Sequence, residues 1–106
     1  MQILADTCIW VGHLRAANSL LQTFLEDGVV LMHPSVRCEL ALGSLKNRAE
    51  ILGAFAKLPQ TEIATNDEVL YIIEARKLWG LGIGWVDAQL LAATSLTPTV
   101  QSHSTP

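Results

Sequence analysis

The sequence predicts an α/β fold with three layers, in which a central parallel sheet lies between helices. Two short runs, residues 2–6 and residues 29–32, are almost continuously apolar, as in strands buried on both faces of a parallel sheet. Segments with apolar side chains at helical spacing follow each run. Because parallel strands need long crossover connections, this alternation favours a sheet built with right-handed crossovers.

The composition is that of one compact and unusually apolar domain. The 106 residues are 50% hydrophobic and 16% charged, whereas average chains carry about 25% charged residues. Such a chain is not disordered overall, and part of its apolar surface is expected to face a partner. The net charge of −3 argues against a protein that coats DNA through clustered basic residues.

Cysteine usage and the N-terminal sequence predict a cytoplasmic protein. Cys8 and Cys38 lack CxxC spacing, and residues 1–10 lack the basic region and apolar run of a signal peptide. No apolar stretch reaches the roughly 18–20 residues that a membrane span needs. We therefore expect both cysteines to be free thiols in a reducing compartment.

The first half of the chain predicts two strands and three helices. Residues 2–6 form the first strand, which ends at an acid, and a short connection leads to a helix over residues 17–27. Residues 29–32 form the second strand. Pro34 is suited to the first turn of a helix that continues to about Leu45, and another helix occupies about residues 48–58.

The second half predicts a weak third strand over residues 61–64 and two further helices. Asn66 or Asp67 is suited to capping the first of these helices, and the second covers about residues 86–95 after a glycine-rich loop. The predicted order is β-α-β-α-α-β-α-α, which is typical of the three-layer α/β class.

Three acidic residues lie where ligands bind in open α/β folds, beyond the carboxyl ends of the strands. Asp6 ends the first strand, Glu39 lies in the helix after the second strand, and Asp87 lies in the first turn of the last helix. Each has a structural alternative when taken alone. Asp6 is suited to capping the next turn, Glu39 to an ordinary surface position, and Asp87 to a favourable interaction with the helix dipole.

Taken together, the three carboxylates predict a metal site. They would repel one another if they converged without a cation, and Mg²⁺ takes oxygen ligands from one or two carboxylates plus substrate phosphates. The chemistry that follows from such a site is metal-assisted hydrolysis of a phosphodiester. Thr7 is suited to adding a hydroxyl to the site, with an ordinary turn residue as its alternative.

Three segments closely resemble PIN domains of the VapC type, the ribonuclease toxins of bacterial toxin–antitoxin pairs. They are MQILADTCIWVGHLR, HPSVRCELALGSL and GLGIGWVDAQLLA, and the resemblance spans residues 3–93 in consistent order and spacing. The resemblance implies that Asp6, Glu39 and Asp87 bind the metal and carry catalysis. It also implies RNA as the substrate, Mg²⁺ or Mn²⁺ as the cofactor, and an antitoxin whose C-terminal segment blocks the site. Members of the family also commonly form homodimers.

The sequence departs from that family after the last predicted helix. Family members continue into a fourth strand that pairs beside the first strand and usually ends near a further acid, whereas this chain has no acid after Asp87. We expect residues 1–96 to form an incomplete PIN-like domain and residues 97–106, which are uncharged and contain two prolines, to be a disordered tail. Loss of the fourth strand predicts an exposed edge on the first strand, in a chain that is C-terminally truncated or frame-altered.

Two other functions fit the sequence less well. One is a truncated relic of the family that binds an antitoxin-like helix without catalysis, which the missing acid favours. The other is a receiver-like phosphoacceptor domain. It fits the order of elements, but the chain lacks an acid pair after the first strand and an acid at the end of the third.

Several side chains are suited to contact with nucleic acid without predicting a site. Trp10, Trp79 and Trp85 could stack on bases, although core or interface packing is the expected role of Trp10, and packing at the site edge that of Trp85. The arginines at positions 15, 37 and 76 have a solvated face as their default role, and contact with phosphate or with a partner as the alternative.

Overall fold

The structure, a computed structural model, describes residues 2–96 and residues 100–103. Among these residues, strands alternate with helices in an α/β arrangement, as predicted. In chain order the elements are β1 (Gln2–Ala5), α1 (Thr7–Arg15), α2 (Ser19–Glu26), β2 (Val30–Leu31), α3 (Pro34–Leu42), α4 (Arg48–Lys57), α5 (Asn66–Arg76), α6 (Trp85–Leu96) and β3 (Val100–His103).

β1 is the central strand of a parallel sheet with the order β2-β1-β3. On one side, Ile3 and Leu4 lie opposite Val30 and Leu31, and on the other side all four residues of β1 pair with β3. The two paired segments of β1 and β2 are fully buried, as their continuous apolar runs predicted. The parallel sheet expected from the sequence is therefore confirmed.

β3 corrects two expectations about the C-terminal residues. We expected a disordered tail from Thr97 and an open edge on β1, but residues 100–103 lie along that edge as a parallel strand. Residues 97–99 and 104–106 of the expected tail lie outside the described residues. The physical reason is that an unpaired edge exposes a row of backbone N–H and C=O groups, which even a polar segment satisfies by pairing.

The third strand predicted at residues 61–64 is not formed. Met32 makes one isolated parallel bridge with Gln60, next to a hydrogen bond from the N–H of Thr61 to the carbonyl of Met32 at 3.1 Å. The pairing goes no further because the next residue of the neighbouring segment, His33, already leaves the sheet as the N-cap of α3.

Helix α1 is absent from the sequence prediction, which placed a short connection after Asp6. The β-branched Ile9 and Val11 and the glycine at position 12 lower the intrinsic helix propensity of this segment. Packing overrides that preference, since Ile9 and Trp10 are buried and Asp6 caps the helix. Tertiary contacts therefore decide the conformation of this segment.

The remaining helices agree with the prediction to within a few residues at their ends. The cap of α5 is Thr65 rather than Asn66 or Asp67. The N–H of Glu68 donates to Thr65 Oγ1 at 3.1 Å, and the N–H of Thr65 donates to the Glu68 carboxylate at 2.9 Å, which completes a capping box. No helix within the described residues is long and apolar enough to cross a membrane.

The main core joins β1 and β2 to α1, α2, α3, α4 and α6. Within it the ring of Trp10 packs edge to face against Phe55, with 5.2 Å between ring centroids and 66° between ring planes. A second, smaller cluster lies between α5 and α6 and includes Val69 and Ala88. Because α6 contributes side chains to both clusters, its position at the sheet is anchored from two directions.

His33 ends the strand region of β2 and begins α3 from a buried position. Its side chain is 1% exposed, and its Nδ1 accepts a hydrogen bond from the backbone N–H of Ser35 at 3.0 Å, which caps α3. An accepting Nδ1 requires the neutral imidazole with its proton on Nε2, an atom that is buried without a partner among the described residues. Burial away from water lowers the pKa of His33 below its ordinary value of 6.5.

We predict that the free energy of unfolding decreases as the pH falls below 6.5, the pKa expected for this group in the unfolded chain. The unfolded chain takes up the His33 proton at higher pH than the folded chain. This contribution is therefore complete above that pH and is lost on acidification, by at most about 1.4 kcal/mol per pH unit for one proton. Urea unfolding at about pH 7.5 and about pH 5.5 measures the loss.

The control for this prediction is His33→Asn. Asparagine caps helices well and does not titrate, so the variant should keep α3 and show a smaller fall in stability on acidification. Equal pH dependence in the two proteins would contradict the role assigned to His33.

Candidate active site

The predicted site residues lie where strands give way to helices. Asp6 is the single residue between β1 and α1, and Thr7 is the first residue of α1. Glu39 lies in the second turn of α3, which begins directly after β2, and Asp87 is the third residue of α6. Because β1 and β2 are parallel neighbours, α1 and α3 begin at the same edge of the sheet.

A cavity of about 250 Å³, here called the acid cavity, opens at this edge. Its walls come from the first residues of α1, from α3 and from the start of α6. The lining residues are Thr7, Cys8, Glu39, Gly84, Trp85, Val86 and Asp87. The structure therefore brings together three of the four predicted site residues, Thr7, Glu39 and Asp87.

The side-chain oxygen atoms of Thr7, Glu39 and Asp87 have no hydrogen-bond partner within the part of the chain that the structure describes. The side chains of Glu39 and Asp87 are exposed, and neither carboxylate forms a hydrogen bond or an ion pair with a described residue. The hydroxyl Oγ1 of Thr7 is buried and also has no partner among the described residues. Two unneutralised carboxylates and one hydroxyl thus share a small cavity, as a set of hard oxygen donors with unused bonding capacity.

Asp6 is not one of the residues that line the acid cavity. It is half-buried, and its Oδ1 accepts a hydrogen bond from the N–H of Ile9 at 2.9 Å, which makes it the N-cap of α1. The capping role considered for Asp6 from the sequence is therefore confirmed. Within the described residues, no group of three or more His, Cys, Asp or Glu side chains is placed to hold a metal ion. A metal-binding role for Asp6 stays a prediction, beside the cavity that holds the other two acids.

A larger cavity of about 780 Å³, here called the long cavity, shares Glu39 with the acid cavity. It runs between α1, α3 and α4 and combines an apolar floor with two cations, Arg15 and Lys46. The lining residues are Val11, Leu14, Arg15, Glu39, Leu40, Gly43, Ser44, Leu45, Lys46, Asn47 and Ile51. Neither cation forms an ion pair or a hydrogen bond through its side chain with a described residue.

The wall made by residues 43–47 was missed from the sequence because we expected α3 to continue to Leu45. The helix ends at Leu42, and the side chain of Arg48 donates to the carbonyls of Ala41 and Gly43, which fixes the beginning of the loop. The glycine at position 43 was the available signal, since helices commonly stop at or just before a glycine.

The cap made by Asp6 has a measurable consequence for stability. Asp6→Ala removes the acceptor for the N–H of Ile9, and we predict that it lowers the free energy of unfolding by about 1 kcal/mol. Asp6→Asn keeps an oxygen that accepts this hydrogen bond and should cost no more than a few tenths of a kcal/mol. Urea unfolding of the three proteins at neutral pH compares them. An equal loss in both variants would show that the charge, and not the cap, stabilises α1.

The sequence matches no protein-family model. Among curated proteins it is similar to ribonuclease VapC32 of Mycobacterium tuberculosis, from strain CDC 1551 / Oshkosh and from strain ATCC 25618 / H37Rv. Each relative is 48% identical to this chain over 94 residues, which are 89% of this chain and 76% of the relative. Identity at this level over most of both chains establishes the relationship that the motifs around Thr7, Glu39 and Asp87 indicated. The chain therefore belongs to the VapC family.

Proposed function

We propose that the protein is a metal-dependent endoribonuclease that hydrolyses phosphodiester bonds of RNA. The observation that carries this proposal is the acid cavity, which Glu39 and Asp87 line from two helices without a neutralising partner among the described residues. The name of its relatives, ribonuclease, supports the same reaction. We propose further that the enzyme acts as a toxin and is neutralised by a cognate antitoxin.

The donor set of the acid cavity fits a hard divalent cation. Mg²⁺ is commonly bound through one or two carboxylates, with substrate phosphates and water completing its coordination. Glu39 and Asp87 would supply the two carboxylates, and the hydroxyl of Thr7, which has no partner among the residues described, would add a neutral oxygen. We therefore propose Mg²⁺ or Mn²⁺ as the cofactor. When bound, such an ion activates water and offsets the negative charge that develops on the phosphate.

The other roles of the site residues are to bind charged groups and to position side chains. Glu39 and Asp87 would hold the cation, whose charge would attract the phosphate that the two carboxylates alone would repel. The first backbone N–H groups of α6, at Trp85 to Asp87, lack helical acceptors and favour an anion at that end of the helix. Asp6 sets the start of α1 through its cap and thereby positions Thr7; we propose that its second carboxylate oxygen also serves the metal.

The family relationship supports several further proposals about the whole molecule. We infer the three-layer PIN arrangement, with helices on both faces of the sheet, and a homodimer of this chain. The location that fits such a toxin is the cytoplasm. The long cavity, with its apolar floor beside Glu39, offers the antitoxin segment a surface next to the acids.

Substitution of the cavity acids tests the proposed reaction. We predict that Glu39→Gln and Asp87→Asn each lower RNA cleavage by about 100-fold or more, because each removes one charged metal ligand while keeping the size of the side chain. Asp6→Asn should also lower cleavage if its free oxygen serves the metal. The assay follows cleavage of a labelled single-stranded RNA by the purified chain, with Mg²⁺, with Mn²⁺ and with a chelator.

The matched control is Glu74→Gln, which removes an exposed carboxylate of α5 that does not line either cavity. It should cleave RNA like the unchanged protein. Metal-dependent cleavage that survives in the Glu39→Gln/Asp87→Asn protein would identify a contaminating nuclease. Failure of the folded, unchanged chain to cleave RNA or to bind Mn²⁺ would favour the alternative function, a module that binds an antitoxin without catalysis.

A further inference from the structure

The three tryptophans of the chain occupy very different positions. Trp10 is buried at 3% exposure and packs in the core, whereas Trp79 and Trp85 are 58% and 51% exposed. Of the two exposed rings, only Trp85 lines the acid cavity, two positions before Asp87. One large aromatic side chain is therefore held partly in solvent beside the acids that we assign to phosphate chemistry.

Core packing does not account for the position of Trp85. Its ring makes no hydrogen bond and no aromatic contact with a described residue, although a fully buried tryptophan would remove far more apolar surface from water. The neighbouring residues of α6 do pack inward, since Val86 contacts the main core and Ala88 lies in the smaller cluster. The backbone that carries Trp85 is thus fixed while its side chain faces the cavity.

We propose that Trp85 is the residue on which a nucleobase next to the scissile phosphate stacks. This inference rests on the proposed ribonuclease function and adds a base-binding residue to it. An indole face accepts any base, and a phosphate held by a cation at Glu39 and Asp87 would carry its flanking nucleotides past the cavity wall that Trp85 forms. A tryptophan side chain has only two rotatable bonds, so it loses little conformational freedom on binding, which suits it to this role.

The long cavity indicates the path that the rest of the bound RNA strand would take. Because it shares Glu39 with the acid cavity, a strand that crosses Glu39 reaches Arg15 and Lys46 on the other side. These cations have no anionic partner among the described residues, and phosphates would supply one. The path therefore places a base on Trp85 at one side of the acids and backbone phosphates on Arg15 and Lys46 at the other.

The test for Trp85 separates binding from chemistry. Trp85→Leu should weaken binding of a single-stranded RNA by about 10-fold to 100-fold, measured with Ca²⁺ in place of Mg²⁺ so that the RNA is bound without being hydrolysed. It should raise KM for the same RNA in Mg²⁺ by a similar factor and change kcat by less than about 3-fold, because stacking is equal in the ground state and the transition state. Trp85→Phe should restore most of the affinity, and Trp79→Leu, which changes the exposed ring outside the cavity, should leave affinity and KM unchanged.

Two outcomes would overturn the proposal. One is unchanged affinity of Trp85→Leu for the RNA in Ca²⁺; a change of oligomeric state in the same variant would then assign the ring to a protein interface. The other is an equal loss of affinity in Trp79→Leu. Both readouts are independent of cleavage, so they leave the assay of Glu39→Gln and Asp87→Asn to decide the proposed function separately.

The cations of the long cavity are tested through salt dependence. Arg15→Gln and Lys46→Gln should each weaken RNA binding and reduce the slope of log Kd against log salt by about 0.7, the contribution of one phosphate contact in single-stranded nucleic acid. Lys57→Gln removes an exposed charge at the end of α4, outside the cavity lining, and serves as the control. A slope that stays the same in Arg15→Gln and Lys46→Gln, or that falls equally in Lys57→Gln, would overturn this strand path.

Discussion

The structure depends on the pairing of β1 along both of its edges. This strand has four residues, and Ile3, Leu4 and Ala5 are buried, so its backbone groups must find partners within the sheet. β2 and β3 supply those partners on opposite sides. Because β2 runs parallel to β1, the chain leaves both strands at the same edge and begins α1 and α3 there. The acid cavity exists because of that pairing, since it brings the start of α1 beside the turn of α3 that carries Glu39.

Two side chains at this edge cap the helices that follow the strands. Asp6 accepts from the N–H of Ile9, and His33 accepts from the N–H of Ser35. Each cap fixes the first turn of the helix that carries Thr7 or Glu39, because the first N–H groups of a helix have no acceptor within it. A substitution at either cap can therefore lower activity by displacing Thr7 or Glu39, in addition to any loss of a group that takes part in the chemistry. Asparagine separates the two causes, since it preserves the cap while removing the charge of Asp6 or the titratable imidazole of His33.

Sequence patterns identified the elements whose side chains are regularly buried, and failed where pairing or packing decides the structure. β1, β2 and most helices follow from their apolar spacing, and the sheet-edge rule placed Thr7, Glu39 and Asp87 near one another. α1 was missed because its packing outweighs a weak helix propensity, and β3 was missed because a polar segment becomes a strand only through its neighbour β1. Residues 61–64 were predicted as a strand but do not form one, because the segment beside them leaves the sheet at His33 and offers no further backbone groups for pairing. Lys46 could not be placed, because its position follows from the end of α3 at Leu42.

An acidic chain repels RNA, so a chain of this kind that binds RNA needs attractive contacts close to its catalytic residues to offset that repulsion. The net charge is −3, and Glu39 and Asp87 place two negative charges where a phosphate would bind. A bound divalent cation would neutralise these two charges, so the cation and RNA should each raise the affinity of the protein for the other by the same factor. Stacking on Trp85 differs from these interactions because it involves no net charge and is little affected by salt. In the proposed complex, stacking on Trp85 would therefore hold the RNA where phosphate contacts weaken, and would keep a phosphate next to the stacked base at the acids.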